Sequence, residues 1–148
     1  MFRKLFNTPN DFSLTILRLA MGCIFFAHGA QKALGWWGGN GFKGTMDVFT
    51  HGLNIPAPFA VLAIAAEFLG GLGLVVGLLG RVAAFGILCN MVVAIKMVHF
   101  KNGLFMNWSG TQKGEGFEFH ILAIAIALAI IIRGAGALSF DRLLTRSR

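Results

Sequence analysis

The sequence predicts an all-α integral membrane protein, a bundle of four membrane-spanning helices with both termini in the cytoplasm. Three observations carry this. Hydrophobic residues make up 56% of the 148 and charged residues only 13%, against about 25% charged in soluble domains. The apolar residues gather into four runs close to the roughly 20 residues needed to cross a bilayer. The basic residues sit at the ends of those runs, where membrane topology places them. A net charge of +7 could otherwise suggest nucleic acid, but that requires a basic face on a soluble body, so no nucleic-acid partner is expected. The length suits one transmembrane domain over residues 1–148.

The first span covers residues 13–34. A basic start followed by an apolar stretch also fits a cleaved signal peptide, but Arg18 interrupts the stretch and three more runs follow, so the span is expected to be retained. The connection 35–56 is long enough to hold structure. In it Phe42, Met46, Phe49 and Leu53 recur at helical spacing. Gly52 can end that helix, which predicts a short helix lying in the interface of the first outer loop. The second and third spans, 57–79 and 82–98, are separated only by Gly80 and Arg81 and so form an antiparallel hairpin. Ala66, Gly70, Gly73 and Gly77 make a stripe of small residues along the second span, read as a packing surface. The fourth span covers 117–132. Cys23 and Cys89 lack metal or redox spacing and read as small core residues.

With four spans both termini share a side. That side collects Arg3, Lys4, Arg81, Arg133, Arg142, Arg146 and Arg148, while the opposite loops hold Lys43, Lys101 and Lys113. The excess of arginine makes it the cytoplasmic side. Trp36, Trp37 and Trp108 then fall at the outer boundary, where indole rings favour the headgroup region.

Ionisable residues inside a span cost about 2.5–3.5 kcal/mol each on insertion scales, so they usually face the bundle interior. Arg18, His28, Gln31 and Lys32 lie on the first span, Glu67 on the second, Asn90, Lys96 and His99 on the third, and Glu118 and His120 on the fourth. Arg18, His28 and Lys32 can share one face of an α-helix, as can Lys96 and His99. Rise per residue places His28 and Lys32 in the outer half and Glu67 near mid-membrane. His28, Lys32, Lys96 and His99 are therefore the candidate walls of an outward-opening pocket with Glu67 as its floor, and Arg18 is expected to pair with Glu67 from below. The competing reading has Lys32 and Lys96 snorkelling to headgroups and His28 packed. Glu118 and His120 sit where the fourth span begins, so interfacial polarity accounts for them as well. No catalytic residue and no metal site is assigned. A haem variant needs two histidines at matched central depth on facing helices, which the spacing does not supply.

The stretches LRLAMGCIFFAHGAQKALGWWGGNGFKGT, AEFLGGLGLVVGLLGRVAA and IRGAGALSFDRLL resemble the DoxX family of small four-helix membrane proteins. The similarity runs from about Ser13 to Leu144. Matching positions are Arg18, Gly22, His28, Gly29, Lys32, Glu67, Gly70, Gly71, Arg81, His99, Ser139 and Asp141. Two positions depart: Gly80, where the family often has threonine, and Ala135, where it has proline. The resemblance implies a multi-pass protein of the bacterial inner membrane, associated with quinone or sulfur-compound redox chemistry, and relatives that include a thiosulfate:quinone oxidoreductase subunit.

The leading expectation is thus a subunit of an oxidoreductase system whose outer pocket binds a quinone or a small oxidisable compound. His28, Lys32, Glu67 and His99 supply the donors and proton carriers that a quinone head needs. No nucleotide motif is present, so electrons would come from a soluble redox partner or the substrate itself. Assembly as a homo-oligomer is open. A small-solute carrier and a non-enzymatic scaffold are the competing functions.

Overall fold

The computed structural model describes residues 5–146, and no strand occurs among them. Helix α1 (Phe12–Leu34) starts where the Asp11 carboxylate accepts the N–H groups of Ser13 and Leu14, at 2.9 and 3.4 Å, and it stops at Gly35 with a left-handed φ of 75°. Helix α2 (Gly41–Asp47) occupies the predicted place in the first long loop and continues as a π-helical turn over Val48–Gly52. Helix α3 (Ala57–Val76) follows Pro56. Helix α4 (Gly80–Ala94) runs on through a π-helical turn, Ile95–His99, and a 3-10 turn, Phe100–Asn102. Helix α5 is Glu118–Arg133 and α6 is Phe140–Arg146.

Three stretches, Phe12–Leu34, Ala57–Val76 and Gly80–Asn102, are long and apolar enough to cross a membrane, while α5 has 16 residues. Helix α1 packs along α3, α3 along α4 and α4 along α5, and α5 touches α1. Met21, Phe25, Leu74, Ile87, Met91, Ala127 and Ile130 fill the space between them. Large apolar side chains such as Ile16, Phe59, Leu62, Phe85 and Leu122 face outward as well, as expected of helices whose outer solvent is lipid. Cys23 and Cys89 correct the sequence reading: both are free and exposed on outer faces. The inward positions beside them are taken by Met21 and Phe25, and by Ile87 and Met91.

Helices α1 and α3 meet backbone to backbone. A Cβ added at Gly29 would come within 2.4 Å of Phe68, one at Gly71 within 2.4 Å of Phe26, and one at Gly22 within 2.8 Å of Val75. Only glycine allows this approach. The predicted stripe serves a different neighbour, since Ala66 and Gly70 face Gly86 and Ala83 of α4 with more room.

One end of the molecule is closed by hydrogen bonds. Arg18, 1% exposed, donates through Nε to the Ala135 carbonyl at 2.8 Å, and its other nitrogens reach the carbonyls of Leu74, of Val75 at 2.8 Å and of Leu138 at 2.7 Å. The expected Arg18–Glu67 pair therefore does not form. Leu74 lies seven residues beyond Glu67, about 10 Å along the helix, and at the end of α3 its carbonyl has only the Gly77 cap N–H at 3.2 Å as a backbone partner. Asp141, also buried, accepts the N–H groups of Leu79 at 2.7 Å and Gly80 at 2.9 Å. It caps α4 from outside the helix, so α4 begins at Gly80 and the hairpin turn lies at Gly77–Leu79. Burial pushes the Asp141 carboxyl above its ordinary value; the two N–H groups and the nearby Arg18 and Arg81 charges oppose this.

Arg81 reaches across to the carbonyls of Ile131, of Ile132 at 2.8 Å and of Asn7 at 3.0 Å, so it is a cross-brace as well as a surface cation. The hydroxyls of Thr8 and Thr15 accept the N–H groups of Gly136 and Ala137 at 2.7 and 2.9 Å. The N-terminal segment, the hairpin turn and the C-terminal segment are thereby tied together at one end. Of the arginines and lysines assigned to that end, Arg3, Lys4 and Arg148 lie outside the described residues.

Replacing Arg18 by methionine strands the carbonyls of Val75, Ala135 and Leu138 and leaves Leu74 only the Gly77 N–H, at about 1–3 kcal/mol for each orphaned acceptor. Arg18→Met is expected to accumulate poorly and to melt well below wild type in detergent. Arg18→Lys should recover little, because a point ammonium cannot span the four carbonyls. Melting of Arg18→Met at the wild-type temperature would show that the clamp contributes nothing.

Candidate functional site

At the other end the helices enclose a cavity of about 430 Å³. Its inner wall comes from Phe25, His28 and Lys32 of α1, and from Glu67 of α3. The glycine contact positions the two charged residues. Gly29 rests on the backbone at Glu67 and Phe68, so Lys32, almost one turn further on, lies over the Glu67 carboxylate. The Lys32 ammonium and a Glu67 carboxylate oxygen form a hydrogen-bonded ion pair, with the lysine side chain 26% and the glutamate side chain 9% exposed. Thr45 of α2 donates to the Lys32 carbonyl at 3.2 Å and holds α2 against this turn. Opposite, Asn90 donates to the Ala63 carbonyl at 2.7 Å and fastens α4 to α3 within the cavity wall.

The remaining polar wall is a pair of histidines. The rings of His99 and His120 lie 4.1 Å apart, centre to centre. His99 Nδ1 lies 2.8 Å from the Glu115 carbonyl oxygen. A carbonyl can only accept, so this nitrogen carries the proton. His120 is 7% exposed, and its Nδ1 is buried without a hydrogen-bond partner among the described residues. Such a nitrogen costs free energy unless something else satisfies it. The ring spacing leaves no room for a porphyrin between the two. Among the described residues no group of three or more histidines, cysteines or carboxylates is placed to hold a metal ion.

Of the five residues expected to form the pocket, His28, Lys32, Glu67 and His99 do line one cavity, although much of the His28 ring is exposed. Lys96 does not. It lies in a separate shallow groove with Val92, Ile95 and Phe100. The cause is the π-helical turn Ile95–His99, whose wider winding carries Lys96 and His99, three residues apart, onto different faces. Arg18 belongs to the closed end and takes no part.

Asn90, Glu115 and above all His120 complete the site. His120 was legible in one respect: it stands in register with Ala123, Ala127 and Ile130, the buried face of α5. Nothing in the sequence indicated that His99 would lie against it, because that depends on how the turn after α4 winds.

The DoxX family profile matches residues 13–100, more than half of the chain. The chain belongs to the DoxX family. It is 29% identical over 145 residues to a protein of Haemophilus influenzae named "Uncharacterized protein", covering 97% of this chain and 90% of that one. It is 25% identical over 135 residues to a protein of Bacillus subtilis named "Putative oxidoreductase CatD", covering 91% and 89%. No solved structure matches the chain significantly.

The positions that carried the resemblance divide between the two ends, Ser139 and Asp141 lying beyond the matched residues 13–100. Arg18, Arg81, Ser139 and Asp141 build the closed end, while His28, Lys32, Glu67 and His99 line the cavity. The two departures from the family pattern face each other: a Cβ at Gly80 would come within 2.9 Å of the Ala135 Cβ. Small residues at both places fit one contact, away from the cavity.

Breaking the Lys32–Glu67 pair from either side leaves a largely buried charge, at about 3–5 kcal/mol. Lys32→Met and Glu67→Gln are each expected to destabilise the protein strongly, and the double variant should recover most of the loss. Additive losses in a double-mutant cycle, read by thermal or denaturant unfolding in detergent, would show that the two side chains are not coupled. Gly29→Ala should lower stability and also disturb the pair, because it separates α1 from α3.

Proposed function

We propose that this multi-pass DoxX protein is the membrane component of a redox system, and that its outer cavity binds the head group of a quinone or a comparable small oxidisable compound. The observation that carries this reading is the cavity, walled mainly by apolar and aromatic side chains onto which Lys32–Glu67, Asn90, His99 and His120 converge. Small-molecule sites are built this way, with a few polar groups set into an apolar wall to fix orientation.

A planar ring would stack among Phe25, Phe49 and Phe119, which line the cavity. Its oxygens would accept from Lys32 and from the histidines. A quinone that becomes a quinol takes up protons with its electrons, and a lysine–glutamate pair beside two imidazoles is suited to passing them. Electrons come from a soluble redox partner or from the oxidised substrate. The name of the Bacillus subtilis relative agrees with redox chemistry. Carriage of a solute is less well supported: Leu74, Ile87, Ala127 and Ile130 are fully buried beneath the cavity, and the Arg18 clamp closes the far end.

In this reading the protein is a four-helix bundle in a bacterial inner membrane, with α5 as the fourth span and α2 in the outer interface. Arg81, Arg133 and Arg142 mark the closed end as cytoplasmic, and Lys43, Lys101 and Lys113 lie in the outer loops.

Protein extracted in a mild detergent is expected to retain a quinone detectable by mass spectrometry, and decyl-ubiquinone should bind to the emptied protein. Glu67→Gln and His120→Phe should weaken that binding at least tenfold. Absence of any retained or added quinone would sink the ligand assignment. For the orientation, Lys43→Cys should react with an impermeant reagent on intact cells and Leu144→Cys, on the exposed face of α6, should not; the reverse pattern inverts the topology.

A further inference from the structure

We infer that the cavity is entered sideways from the lipid, between the α2 segment and α4, and so takes an amphiphile: a hydrogen-bonding head with an apolar tail that stays in the bilayer. This rests on the cavity being a ligand site and adds its route of entry and the class of molecule that can use it.

The walls differ in how they are fastened. Towards the outer aqueous side the cavity is roofed by residues 103–117, with Met106 and Glu115 on its underside. That roof is bonded along its length. The Glu115 carbonyl accepts from His99 at 2.8 Å and from Asn102 at 2.9 Å, and the Glu115 carboxylate accepts the Asn107 N–H at 2.7 Å. Glu118 accepts the Met106 N–H at 3.0 Å, and the N–H groups of Phe117 and Glu118 return to the carbonyls of Gly103 and Leu104. Lifting the roof breaks the bonds of Glu115 to His99 and Asn102 and of Glu118 to Met106 and Leu104, while the others hold the loop itself together.

Among the described residues no hydrogen bond joins the two edges of the side wall. Leu53 and Ile55 form one edge, and Val93 and Met97 of α4 form the other. The α2 segment packs on α1 and α3, and the cavity separates it from α4. Val93 and Met97 are 45% and 40% exposed although both line the cavity. His28 and Glu115 also line the cavity while exposed, but on the side facing Leu53 and Ile55 the exposed lining is Val93 and Met97. All four rim residues are apolar, and the flexible methionine can move aside without backbone motion. Below the rim the Asn90–Ala63 hydrogen bond closes α4 onto α3.

Beyond the rim lie the ion pair and His120, whose buried Nδ1 lacks a partner among the described residues. A head group entering through the rim meets these groups and leaves its tail among Val93, Met97 and lipid. A small water-soluble anion meets no polar group at that rim.

Entry can be tested without any ligand. In a Cys23→Ala/Cys89→Ala background, single cysteines are placed in the half-buried cavity wall as Ala63→Cys or Ala94→Cys, with Lys101→Cys as a loop reference. Pyrene-maleimide partitioned into the bilayer is expected to label both cavity cysteines. A charged methanethiosulfonate reagent added outside should react with them at least tenfold more slowly than with Lys101→Cys. Adding Val93→Trp and Met97→Trp should slow the maleimide at least fivefold. If the charged reagent reaches either cavity cysteine as fast as Lys101→Cys, or if the tryptophans leave maleimide labelling unchanged, lateral entry is wrong. Two cavity positions keep the result readable if one variant fails to fold. A protein that binds no quinone can still pass this test, and one that binds quinone can fail it.

Discussion

The contact between the backbones of α1 and α3 sets the rest of the molecule. Gly22 and Gly29 on one helix and Gly71 on the other remove the Cβ atoms that would hold the axes apart. Once that approach is made, the register of the two helices is fixed along their length. It lays Arg18 over the carbonyls at the end of α3 and Lys32 over Glu67. Both polar ends of the protein are thus consequences of one apolar contact, and neither charge could be satisfied with the helices slid by a turn.

The two ends meet the cost of buried polarity in opposite ways. At the closed end most donors and acceptors are matched: Arg18 has four carbonyls, Asp141 has two backbone N–H groups, and Arg81 has three carbonyls, with only its Nε lacking a partner among the described residues. Such a network is rigid, and it joins the hairpin turn to both terminal segments. At the other end the matching is incomplete. Lys32 and Glu67 satisfy each other, but they face an open cavity, and His120 keeps a buried nitrogen without a partner among the described residues.

The cavity exists because the outer ends of the helices are wound and connected differently from their middles. The π-helical turn Val48–Gly52 places Phe49 on the cavity wall, and the turn Ile95–His99 swings His99 against His120 while sending Lys96 away. Turns of this kind are frequent at functional sites because they re-aim single side chains without ending a helix. A hydrogen-bonded loop lies above the cavity, and the apolar residues Leu53, Ile55, Val93 and Met97 lie beside it.

The amino-acid sequence by itself determined the class of protein, the positions of the helices, the short helix of the first long loop and the side on which arginines gather, because these follow from composition, periodicity and end charges. It also singled out His28, Lys32, Glu67 and His99, since an ionisable group in an apolar run must find a partner somewhere. Which partner was a tertiary matter. Arg18 and Glu67 are both deep, and only the register of α1 on α3 decides that Arg18 takes carbonyls and that Lys32 takes the glutamate. His120, Asn90 and Glu115 entered the site, and Lys96 left it, through the local winding of α4 and the path of the following loop. Helical spacing assumes one uniform turn, and a single wider turn is enough to move a side chain to another face.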